Sequence, residues 1–199
     1  SSLSSNPVSN LKMLTDKIPR AKSGKEEYWR SDKLVTMPLP PARTLRLEAE
    51  RLEQALLADD RKLVESVCNS FSALVADSFA VPAPPVKVLG VRPLKVYEKF
   101  GDYDFETTLI RLWMRTARLK KVTAYGTFLS TLCHELCHHL DVVHLELPHT
   151  YHTRGFYERA ALLYHHARNT PVRKIVWTEL DDGTFEVNWA ETMKHGAKK

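Results

Sequence analysis

Five consecutive residues carry the strongest chemical signal in this chain: His134-Glu135-Leu136-Cys137-His138. They spell H-E-x-x-H. On an α-helix, residues four apart lie about 40° apart around the axis, one turn up. Both imidazoles then face the same way and can share one metal ion. Glu135, beside the first of them, can reach a water activated by that metal without being a ligand itself. Metal-assisted hydrolysis needs this division of labour. The expectation is a zinc-dependent hydrolase with one Zn2+ per chain and Glu135 as general base.

Catalytic zinc takes three protein ligands and keeps a fourth position open. Three residues are candidates for the third ligand. His144 follows His138 at the metzincin spacing, but Asp141 stands where that motif needs a turning glycine. Glu158 has the spacing of gluzincins, whose third ligand is a Glu on the next helix. His152 lies between them, in an irregular stretch that also holds Pro148 and His149. Asp141 is also a candidate acceptor for the second N–H of a ligating histidine. Tyr151, Arg154 and Tyr157 are the nearest donors for an oxyanion. His139 points about 100° away from His138 and is not read as a ligand. Cys133 and Cys137 read as small buried thiols between the metal face and the core.

The elements that must position these groups are legible in outline. Residues 1–42 are rich in Ser, Lys and Pro and read as a flexible tail. A helical hairpin over 43–80 follows, with Leu45, Ala49, Leu52 and Leu56 on one stripe and Leu63, Val67, Phe71, Leu74 and Val75 on the other. Ala58-Asp59-Asp60 breaks it, and VPAPP (81–85) ends it. Runs 86–91, 94–100 and 108–116 read as extended, with Gly101-Asp102-Tyr103-Asp104 as a turn. Residues 108–116 are expected to form the cleft edge where an extended substrate pairs. The motif helix should start at 123–127 and run to about His144, burying Phe128, Leu132, Leu136, Leu140 and Val143. Another helix is expected over 155–168. The Asp-Gly turn at 182–183 predicts a β-hairpin within 172–190, followed by a basic tail, 191–199.

The chain has 199 residues, 43% hydrophobic and 27% charged, enough for one domain with a core. Cys68, Cys133 and Cys137 include no C-x-x-C pair, which argues against a disulfide framework and fits a reducing, cytoplasmic compartment. No apolar run is long enough to span a bilayer. The net charge of +5 favours acidic partners. Arg111, Arg115, Arg118, Lys120 and Lys121 form a basic stretch that could attract an acidic substrate or DNA.

The order of TLIRLWMRT, FLSTLCHELCHHLD and HTRGFYERAALL resembles that of SprT-like proteases, which include the Spartan-type DNA–protein crosslink proteases. In that family a His follows H-E-x-x-H after a loop of variable length, and a Phe at the start of a helix comes four residues later. The resemblance covers about residues 86–168 and is best over 109–163. It implies an α+β zincin-like fold, with a small, mostly antiparallel sheet on the H-E-x-x-H helix. It also implies His134, His138 and His152 as zinc ligands, Glu135 as general base, and a protein or peptide substrate. A DNA- or protein-binding role with secondary proteolysis, or hydrolysis of a non-peptide amide, are the alternatives.

Overall fold

The computed structural model describes residues 13–94 and 100–194. Residues 1–12, 195–199 and most of the expected extended run 94–100 lie outside the described residues. In chain order the elements are α1 (Lys22–Lys33), α2 (Ala42–Leu57), α3 (Arg61–Asp77), β1 (Val86–Val91), β2 (Gly101–Tyr103), β3 (Ile110–Arg115), α4 (Tyr125–Val143), α5 (Arg154–Arg168), β4 (Trp177–Glu179), β5 (Phe185–Val187) and α6 (Trp189–Lys194). The fold is α+β. None of these helices is long and apolar enough to cross a membrane.

The helical hairpin forms as expected, with α3 rotated slightly. Its buried stripe is Val64, Val67, Cys68, Phe71 and Val75, while Leu63 is exposed. The Asp60 side chain caps α3 by accepting the Leu63 N–H at 3.0 Å. On its sheet side, α3 supplies the hydrogen bonds that an outer strand would otherwise leave open. Asn69 donates to the Val86 carbonyl and accepts its N–H, and Glu65 accepts the Val88 N–H. The outer edge of β1 is therefore covered by side chains.

Strand order is β1-β3-β2, with β1 parallel and β2 antiparallel to β3. This corrects two expectations. The sheet is mixed, because the return from β1 to β3 brings the chain back in the same direction, and the parallel pairing is the longer of the two. The 108–116 run is the central strand, so it cannot serve as the cleft edge. Gly101–Tyr103, expected as a turn, is the edge strand β2. The turn comes one step later, where Asp104 accepts the Glu106 and Thr107 N–H groups.

The motif helix α4 lies against this sheet and α5. Phe128, Leu132, Leu136 and Leu140 are buried, together with Leu129, Cys133 and Cys137. Val143, expected in the core, is exposed because it sits in the last turn. The β4–β5 hairpin forms around the Asp-Gly turn. The expected basic tail begins instead as the short helix α6.

The largest correction concerns the N-terminal 42 residues. Lys22–Lys33 is helical and packs on α5. Tyr28, Ser31 and Asp32 are buried. Before it, Met13–Asp16 run beside β5 and the 145–153 loop. The Met13 carbonyl accepts the Val187 N–H, and Thr15 exchanges hydrogen bonds with Phe185.

Candidate metal centre

Three histidine side chains converge. The Nε2 atoms of His138 and His152 each lie 3.1 Å from Nε2 of His134. Two come from successive turns of α4 and one from the loop before α5. Among the described residues this is the one group of three His, Cys, Asp or Glu side chains close enough to hold a metal ion. Nitrogens bound tetrahedrally to Zn2+ at about 2.0–2.1 Å stand about 3.3 Å apart. The observed spacing is close to that.

Hydrogen bonding alone does not account for the convergence. A neutral imidazole Nε2 has one in-plane site, either a proton or a lone pair. His134 Nε2 can satisfy one neighbour, not two. A cation at the common point satisfies all three lone pairs, so the donor set fits a metal ion. His134 and His138 are also held in the neutral form that ligates. Burial, with His152 alongside, pulls the His134 pKa down to about 3. Burial and the other two rings hold His138 well below its usual value.

Phe156 is fully buried beneath the cluster. Its ring centroid is 4.9 Å from that of His134, 4.5 Å from that of His138 and 5.4 Å from that of His152. Tyr157 stacks on His152 with an interplanar angle of 17°. Glu135, on α4 beside His134, is 6% exposed.

The third-ligand alternatives fall away from the cluster. His144 terminates α4 and meets Phe79 edge-on at 5.1 Å. Glu158 lies beside Trp177 and Lys174, where burial raises its carboxyl pKa.

The supporting residues are redistributed. Asp141 does not serve a ligating histidine; it pairs with Arg159 through both oxygens at 3.1 Å, and both residues are almost fully buried. Burial pushes the Asp141 carboxyl up to about 7 against the opposing pull of Arg159. Arg159 also donates to the Ser31 and Leu34 carbonyls, joining α1, α4 and α5. His138 Nδ1 is buried with no hydrogen-bond partner. His139 is engaged elsewhere, with Nδ1 3.1 Å from the Tyr103 hydroxyl and Nε2 2.9 Å from the Pro82 carbonyl. Arg154 is bound to Asp32, at 2.6 Å for its closest contact, and lies over the Phe185 ring. The Tyr157 hydroxyl donates to the Leu14 carbonyl. Both are thus drawn away from an oxyanion. Tyr151 is different: it is 39% exposed and packs on Phe105 at 4.7 Å, on the rim next to His138.

Two further residues support the cluster and its helix. Asp16 accepts the His152 N–H at 3.0 Å and faces its Nδ1 at 3.5 Å. Burial raises its carboxyl, but the hydrogen bond and charge of His152 outweigh that and lower it. No local pattern marks Asp16. Arg159 did leave a signal: it occupies the buried face of α5 with Phe156, Leu163 and Ala167, where an apolar residue is the norm.

The basic stretch is partly neutralised, since Arg111 pairs with Asp102 and Arg115 with Asp59. Comparison with known proteins gives no match to a family model, a curated protein or a solved structure.

Proposed function

We propose that this chain is a zinc-dependent metallopeptidase of zincin type, with His134, His138 and His152 as ligands and Glu135 as general base. The observation that carries this reading is the convergence of three Nε2 atoms, two of them on the H-E-x-x-H helix. The order of elements around it also fits the resemblance to SprT-like proteases.

Bound Zn2+ would supply a Lewis acid that polarises the scissile carbonyl and makes water more acidic. The Glu135 carboxylate accepts the proton of the attacking water and later delivers it to the leaving amine. The nearly dry wall of Phe156 and α4 strengthens the pull between these charges. Tyr151, on the exposed rim, is the donor best placed to meet the developing oxyanion. The substrate strand would lie along β2, the sheet edge nearest His138, since Tyr103 and Phe105 both face that ring. A nucleic-acid role draws less support, because two of the five cations in the basic stretch are paired with carboxylates.

Metal analysis and a casein-cleavage assay test the reading. Glu135→Gln should keep its zinc and lose about 10²–10⁴-fold in rate. His152→Ala should lose zinc and activity together. Full activity in Glu135→Gln, or full zinc in His152→Ala, would sink it.

A further inference from the structure

We infer that Asp16, in the segment leading into α1, is the positioning residue for His152, so that the metal centre is completed from the N-terminal segment. This rests on the three-histidine reading above.

The two halves of the ligand set differ in what fixes them. His134 and His138 are set by the α4 backbone. His152 lies on an irregular loop, and its neighbour Tyr151 is exposed. Such a ligand needs an external hold, and residues 13–16 supply one at several points. The Asp16 N–H donates to the His152 carbonyl at 2.8 Å. Asp16 Oδ2 accepts the His152 N–H at 3.0 Å. Asp16 Oδ1 faces His152 Nδ1 at 3.5 Å. The Leu14 carbonyl holds Tyr157, whose ring stacks on the same imidazole. The main chain and both faces of the problem, rotation and tilt, are therefore constrained from one segment.

The chemistry gives the side chain a second task. If His152 binds a metal through Nε2, its remaining proton must sit on Nδ1. Asp16 Oδ1 lies 3.5 Å from that nitrogen. A carboxylate there fixes the tautomer and makes the imidazole a stronger donor to the metal. His138 has no such partner for its Nδ1, and it needs none for orientation because its helix supplies that. Segment 13–16 is itself anchored on β5 through Met13, Thr15 and the Leu14–Glu186 bridge. Asp16 is thus held in place independently of His152.

The test measures Zn2+ affinity by chelator competition on the full chain, with folding followed by circular dichroism. Asp16→Ala should weaken Zn2+ binding about 10–100-fold. Asp16→Asn, which keeps one oxygen for the His152 N–H, should fall between Asp16→Ala and wild type. It should also shift the visible absorption of the Co2+-substituted protein, because the donor strength of His152 changes. A general loss of packing would not move that spectrum in a protein whose unfolding temperature is unchanged. Wild-type Zn2+ affinity and an unaltered Co2+ spectrum in folded Asp16→Asn overturn the inference, even if Asp16→Ala fails to fold. His152→Ala separates the two levels. If it too binds Zn2+ as tightly as wild type, the three-histidine reading fails; if it loses zinc while both Asp16 variants keep it, only the role of Asp16 fails.

Discussion

Helix α4 and the 145–153 loop bring histidines to the same point by different means. In α4 the spacing of His134 and His138 is a property of the helix repeat, and the rest of that face is buried against the sheet and α5. The loop has no repeat of its own. His152 is held by Asp16, Thr150 bonds Glu27, and Thr153 meets Ser31 hydroxyl to hydroxyl at 2.8 Å. Each of these partners lies more than 120 residues earlier in the chain. Half of the site is thus local in sequence and half is tertiary. A local half survives modest damage elsewhere, whereas a tertiary half fails when its supports do.

The link between the halves is the place to break this contrast. Arg159 joins Asp141 on α4 to the end of α1. Arg159→Met removes the ion-pair partner of the buried Asp141 and the donors to the α1 carbonyls, and should cost about 3–5 kcal/mol of folding stability by urea unfolding. A loss below about 1 kcal/mol would mean that α1 and α4 are not coupled through it.

Gly155 tests the loop half alone. A Cβ there would lie 2.8 Å from the Asp32 and Leu34 carbonyl oxygens, and closer still to that of Ser31. Gly155→Ala should therefore push α1 off α5, costing about 1–3 kcal/mol. Zn2+ binding should weaken while α4 amides keep their hydrogen-exchange protection. Equal loss of protection in α4 would remove the distinction between the halves.

The most gradual effect belongs to the helical half. His134 and His138 are depressed below the ordinary histidine value in the folded chain. The unfolded chain therefore binds more protons as pH falls through about 6.5. Stability of the metal-free protein should decline from pH 7 toward pH 4, as read by thermal unfolding. A flat profile over that range would contradict the burial of these two rings.

The same division explains what the sequence reveals. The stripe of α4, the α2–α3 hairpin, the run Val86–Val91 and the Asp-Gly hairpin all rest on short-range periodicity or turn chemistry, and all are legible. Helix α1 is not, because KSGKEEYWRSDK has little apolar surface of its own. It is helical against α5, through Tyr28, the Arg154–Asp32 pair and the close approach at Gly155. Gly101-Asp102-Tyr103 has turn-like composition, and pairing with β3 makes it a strand. The place of β3 at the sheet centre depends on which strands pair, which no local window contains. At the candidate site, the pairing of His134 and His138 follows from their spacing, and His152 joins them where the resemblance implies. Asp141 is near His138 in sequence, yet its partner is Arg159, on another helix.

The buried thiols of α4 have a practical consequence. Cys133 and Cys137 are at most 2% exposed, and burial raises both thiol pKa values far above the ordinary range. Neutral and enclosed, they neither compete with the imidazoles for a soft metal nor meet alkylating reagents while the helix is in place. Cys68 is equally enclosed on α3. The native chain is therefore silent toward iodoacetamide, and each alkylation event at Cys133 or Cys137 is a clock tick that records helix α4 leaving its seat.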